Sequence, residues 1–434
     1  MVRPVKHLLS VALAMAVMAG GGQPASAATR TYHLQAKAGY ISTADGAQIY
    51  MWGFADAATG AFRYPGPTID VMAGDLVVVT LTNLLPDPDG SGPLTAEPVS
   101  LVFFGQDGVT TPQYQTVGQR GTLRSLAAEA LPGGPVVTYT FTATNPGTYY
   151  YQSGTNLHKH IDMGLIGGMI VRPAAPNQAY DTTDSAYDKE NLLLMSALDA
   201  YQHKRVEQGL PYLATSYLAT NWFLNGRSYP DTILPDNVSH LPAQPLSAMV
   251  ELVAGQHVLF RMVTLDRDMH PFHHHGNHAT VVGHNGVPLR SVPTSTTSDL
   301  AVDRFTQSIF PGETYDALYT WTGEDLGWDI YGHPVLDNPP GTLRPNESLL
   351  GHNAPLPVVV APQANDPNQS LVFGELYSGS PFLGPKGELP VGHTSFNAMG
   401  EHYMMFHSHH EHELQNGDEG PGGLMTHIMI KPAP

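Results

Sequence analysis

Short apolar runs rich in β-branched residues, each closed by glycine, proline or asparagine, recur along the whole chain. Residues 68–71, 76–81, 136–143, 168–171, 249–253 and 257–262 are of this kind. Such runs between turn residues read as strands. Helical spacing of apolar positions is weak: only 122–130 and 188–202 have room for a helical turn or two. The pattern predicts an all-β protein built as sandwiches.

Composition sharpens that picture. Glycine and proline number 44 and 37, while charged residues make up only 13%, which suits a turn-rich β protein. The start is different in kind. Arg3 and Lys6 precede an apolar run over 8–18 and the small residues Ala25-Ser26-Ala27, the layout of a secretory signal peptide over 1–27. The mature protein is expected to be exported, periplasmic or extracellular, without a membrane span. One domain is expected over 29–173, a linker over 174–188, and a second domain over 189–434. The strand entry Ala73-Gly74-Asp75-Leu76 is echoed by Ala254-Gly255-Gln256-His257. A stretch rich in proline, glycine and asparagine, about 334–392, reads as a long insertion in the second domain.

Net charge is −18, which disfavours nucleic acid and anionic membranes as partners and favours cations. There is no glycine-rich phosphate loop and no Gly-x-Ser-x-Gly elbow. Cysteine is absent, so disulfides, thiol nucleophiles and thiolate metal ligands are excluded together.

What the chain has in quantity is histidine, 22 residues. One cluster is His270-Pro271-Phe272-His273-His274-His275-Gly276-Asn277-His278, and the other is His407-Ser408-His409-His410-Glu411-His412-Glu413. On a strand, His-x-His puts both rings on one face, and imidazole is the commonest metal ligand. Two such strands side by side bring His273, His275, His407 and His409 to one point, with His270, His278 and His412 within reach. An all-imidazole set suits copper, with zinc as the alternative. Glu411, Glu413 and Asp268 are placed to orient imidazoles, whereas Asp266 reads as a solvated charge and the methionines at 404, 405, 425 and 429 as core. Ser408 is no nucleophile on this reading, because its neighbours' rings point to the other face.

These landmarks resemble the multicopper oxidases, built from cupredoxin-like Greek-key β-sandwich domains. His270-Pro271-Phe272-His273-His274-His275-Gly276 is similar to that family's His-Pro-x-His-x-His-Gly signature. Asn225-Gly226-Arg227, Pro311-Gly312-Glu313-Thr314-Tyr315-Asp316 and Gly147-Thr148-Tyr149-Tyr150-Tyr151 resemble further family landmarks. The resemblance implies a copper-dependent oxidase, a small-molecule or metal-ion substrate and a homo-oligomer, such as a trimer. The departures are as informative. Ser408 stands where the family has the type-1 copper cysteine, Glu413 where a further histidine is expected, and Asp418 at the axial position. The first-domain motifs are replaced by Val102-Phe103-Phe104-Gly105 and Gln152-Ser153-Gly154, with His158 and His160 as possible substitutes. The expectation is an all-histidine copper site without a type-1 centre. It belongs either to an oxidoreductase or to a non-catalytic protein for copper buffering, storage or delivery. A partner-binding sandwich with a vestigial site is the third possibility.

Overall fold

A computed structural model describes residues 27–85, 97–117, 120–253, 255–321 and 402–431. The expected signal peptide lies almost wholly outside these residues, and the insertion over 334–392 lies entirely outside them.

Among the described residues, the first sandwich pairs two four-stranded sheets. One runs Gln48–Asp56, Thr29–Ser42, Leu76–Asn83, Val137–Thr142; the other runs Gly66–Met72, Ile166–Arg172, Gly147–Gln152, Val102–Phe103. Alternation packs Trp52, Phe54, Val77, Val79, Phe103, Phe141 and Tyr151 between them. The second sandwich has a seven-stranded sheet centred on Lys189–Leu198, His257–Thr264 and Thr314–Thr320. Facing it is a five-stranded sheet in the order Val250–Val253, Met425–Lys431, His402–Ser408, His270–His274, Thr306–Ile309. Phe260, Phe272, Tyr319 and Phe406 fill the space between these sheets.

The two sandwiches share a further core of Met51, Tyr64, Tyr150, Ile166, Leu194, Phe223 and Val263. Polar contacts align it. Tyr64 donates to Ser196 Oγ at 2.7 Å. The fully buried Arg261 donates to Glu190 at 2.8 Å and to Thr148 Oγ1 at 3.0 Å. An orphaned guanidinium here would be costly; paired from both sandwiches, it fixes their register.

One local expectation fails and a second holds only at the end of its stretch. Residues 122–130 begin as strand, because Arg120–Ser125 pairs with Gln113–Val117 in a hairpin. Most of 188–202 is also strand: Lys189–Leu198 runs parallel to His257–Thr264. Its apolar residues are buried by that pairing, which overrides local propensity. A helix begins only at the end of that stretch, at Ala200–Glu207, where the Asp199 carboxylate accepts from the N–H groups of Tyr201 and Gln202. Buried Met404, Met425 and Met429 do pack in the core region.

Candidate metal centre

The strand His270–His274 runs antiparallel to His402–Ser408, with His273 directly opposite His407. The two-residue period of a strand then sorts the side chains. His270, Phe272 and His274 are buried towards the sandwich interior, as are Phe406 and Ser408. His273, His275 and His407 take the other face, and His409 follows at the strand's exposed end.

Four imidazoles gather there. The His273 ring centroid lies 5.0 Å from that of His275, 5.5 Å from His407 and 4.9 Å from His409. His275 and His407 are 5.2 Å apart, and His407 and His409 5.5 Å. Ligand atoms of His273, His275 and His407 all lie within 4.8 Å of one another. Nδ1 of His407 donates to the Ser408 carbonyl at 2.7 Å, which leaves its Nε2 as a lone pair. That atom sits 3.2 Å from Nε2 of His275. Nδ1 of His273 is engaged by Thr306 Oγ1 at 2.8 Å.

The surroundings disfavour the charged form of three of these rings. Burial, followed by the neighbouring His407, His273 and His409, pushes His275 down to about 4. Burial, His407 and His409 lower His273. Burial lowers His407, against an opposing pull from the Ser408 carbonyl. Neutral imidazole is the ligand form. Bonds of about 2.0–2.1 Å in a tetrahedral set place donor atoms about 3.3 Å apart, close to the 3.2 Å seen between the two Nε2 atoms. The residues therefore fit a copper or zinc ion.

The backbone around the cluster is held firmly. Tyr319 donates to the His275 carbonyl at 3.1 Å. Gly276 follows at φ +98°, and a Cβ there would come within 2.1 Å of Met404 Sδ and 2.5 Å of Tyr319 Oη. Only glycine closes the motif at this point.

His270 is not part of the cluster. Its Nε2 donates to Asp266 at 2.7 Å and its Nδ1 to Glu413 at 2.9 Å, with all three side chains at most 1% exposed. Burial disfavours its charge, but Asp266 and Glu413 outweigh that and raise His270 to about 10. Neither ring nitrogen is left for a metal. Asp266, expected as a solvated charge, is instead a buried partner of this cation. Ser408 is fully buried and accepts from the His410 N–H at 3.1 Å.

The remaining candidates lie elsewhere. His278 is exposed, its ring 5.3 Å from Phe305 at the rim of the cluster. His412 meets the His410 ring at 4.2 Å and Trp222 at 5.3 Å. His158 is exposed and 6.1 Å from Tyr212. His160 is fully buried, with Ser153 Oγ at 2.8 Å from Nδ1 and Glu97 at 3.0 Å from Nε2. Neither histidine of that pair joins the cluster. In the first sandwich Val102 pairs with Gln152 and Phe103 with Tyr151, and Phe104 stacks on Tyr150 at 4.6 Å. The two replaced motifs are thus neighbours on paired strands, and neither carries an imidazole. Sequence reasoning overlooked Thr306, which lies far from either motif and becomes a neighbour only through strand pairing. It also passed over His410, although the His410-x-His412-Glu413 spacing was a readable signal.

No family model matches the chain. The L-ascorbate oxidase of Cucurbita pepo var. melopepo is 33% identical over 181 residues, 39% of this chain and 27% of that protein. Laccase-3 of Botryotinia fuckeliana is 32% identical over 118 residues, 27% of this chain and 22% of that protein. The matches thus span about a quarter of the length of these curated relatives. Among solved structures, the Blue Copper Oxidase from Nitrosomonas europaea aligns over 93% of this chain and 86% of its own, with a TM-score of 0.55 and 18% identity. The multicopper oxidase mgLAC aligns over 94% and 88%, with a TM-score of 0.53 and 19% identity. At such identities the structural likeness speaks for the fold, and the sequence relatives carry the kinship. Sandwich architecture, strand-borne histidines and these comparisons agree: the chain has the cupredoxin fold and is similar, over part of its length, to L-ascorbate oxidases and a laccase.

Proposed function

We propose that this chain is an exported copper-binding oxidoreductase whose copper is held by His273, His275, His407 and His409, with no type-1 centre. The observation that carries this is the approach of imidazole nitrogens from two distant segments, Nε2 of His275 and Nε2 of His407, 3.2 Å apart. Bound copper supplies one-electron redox chemistry, and zinc in the same ligands would not.

The chain's own residues define how a substrate meets that centre. The relay expected in relatives with a type-1 thiolate has no counterpart, because Ser408 offers a hydroxyl and His270 is committed to two carboxylates. A substrate must therefore come directly to the histidines. A shallow cavity of about 390 Å3, lined by His273, His274, His275, His278 and Phe305, opens beside them. Phe305 offers an apolar wall there, and exposed His409 leaves one side open to water. The chain is read as a homo-oligomer on the family resemblance.

The test is metal analysis of protein from its native compartment, followed by oxygen uptake with phenols, ascorbate-like reductants or reducing metal ions. Turnover above that of free copper is the expected result; stoichiometric copper without turnover sinks the oxidase reading. That second outcome would favour a protein for copper buffering or delivery. Val102, Phe103 and Gln152–Gly154 supply no imidazoles from the first sandwich, which argues for keeping that alternative.

A further inference from the structure

Beyond the four-histidine centre, we propose that His410, His412 and Glu413 form a second site for a borderline divalent cation, copper(II) or zinc(II). Ligand atoms of the three residues lie within 4.8 Å of one another. Nδ1 of His410 and Oε1 of Glu413 are 3.2 Å apart, close to the about 3.3 Å edge of a tetrahedral set with bonds of about 2.0–2.1 Å. Two imidazoles and one carboxylate are a known three-ligand set for zinc, with the fourth position open.

Two independent features prepare the site. The first is scaffolding. A short turn, Glu411–Glu413, carries the ligands, closed by the Glu413 N–H donating to the His410 carbonyl at 2.8 Å. Ser408 Oγ holds the His410 N–H at 3.1 Å. Trp222 stands edge-on to the His412 ring at 5.3 Å. The second is charge. His270 donates from both nitrogens to two carboxylates, Asp266 and Glu413, so one cation lies between two anions. Glu413 Oε2 is taken by His270, and Glu413 Oε1 faces the half-exposed His410 and is the oxygen turned to an incoming ion. His270 would also orient the ligating carboxylate, as outer partners of metal ligands do. Ser408 and Glu413, two of the departures from the multicopper oxidase pattern, thus contribute a scaffold contact and a ligand to this site. It lies on the His270 side of the strand, across from His273, His275 and His407.

The test uses the metal-free full chain titrated with copper(II), and separately with zinc(II), by calorimetry and tryptophan fluorescence. In a His273→Ala/His275→Ala variant, one copper(II) is still expected to bind and to quench Trp222. His410→Ala/His412→Ala removes that ion, with an affinity loss of at least about 100-fold, and leaves binding at the other centre intact. Both replaced side chains are exposed, so the variant should stay folded, and circular dichroism checks this. Trp222→Phe should abolish the quench and keep the ion. Unchanged stoichiometry in His410→Ala/His412→Ala overturns the proposal, as does failure of the His273→Ala/His275→Ala variant to retain any ion. Loss of binding in the His273/His275 variant's own centre tests the first site separately.

Discussion

His270 and His273 are three residues apart on one strand, yet their surroundings shift their proton affinities in opposite directions. His270 faces inward between Asp266 and Glu413 and is held as a cation, raised to about 10. His273 faces outward among imidazoles, and burial with His407 and His409 lowers it. The difference comes from strand geometry: an odd offset puts two residues on opposite faces, and what each face carries decides the proton. The lesson is that a histidine-rich motif is not a ligand list. One imidazole in it can be a structural cation, spending both nitrogens on carboxylates, while its neighbours keep lone pairs free for a metal.

The sharpest way to break this comparison is stability in the metal-free protein. His270→Ala leaves two buried carboxylates without their cation and should cost about 3–5 kcal/mol in urea unfolding. His273→Ala should change stability by less than about 1 kcal/mol. Equal losses would mean that the two histidines do the same job.

Next in size is the metal. His275→Ala should weaken copper binding more than about 100-fold, since even outer partners of ligands are worth 10–100-fold. Competition with a chelator of known affinity measures it.

A third prediction contrasts the two sandwiches. In the first, His160 and Lys159 both hold Glu97. Burial opposes the Glu97 charge, but the His160 hydrogen bond and the Lys159 ammonium bring its carboxyl down to about 2. A depressed carboxyl contributes stability that is present above its unfolded value of about 4.5 and lost as pH falls through 2. Acid unfolding between these values should cost on the order of 2 kcal/mol through this group. Glu97→Gln should flatten that part of the profile, which chemical denaturation at a series of pH values would show. If it does not, the His160 region is not the salt-linked scaffold described here.

The smallest effect tests the support of one ligand. Thr306→Val removes the hydroxyl beside His273 Nδ1 and should weaken copper binding by about 10-fold with little change in unfolding. No change in affinity would mean that packing against Phe305, 5.7 Å from the His273 ring, already suffices to orient the imidazole.

Much of the fold was legible in the chain. The runs read as strands at 68–71, 76–81 and 257–262 fall inside Gly66–Met72, Leu76–Asn83 and His257–Thr264. The rule that placed His273 with His275, and His407 with His409, is strictly local. The misreading of Lys189–Leu198 had a physical cause: no clear local period marks it, and only the parallel partner His257–Thr264 makes it a strand. Asp266 was misread for a similar reason, because nothing local says that Glu413 lies across His270 from it.

Sequence alone sufficed for the all-β class, the missing thiolate and the presence of imidazoles in pairs, since these depend on residue identity and a two-residue repeat. Which imidazoles share a focus, and which is locked between carboxylates, depended on register between segments more than 120 residues apart, such as His273 against His407. Charge and coordination act over a few ångströms, and only the folded chain sets distances on that scale.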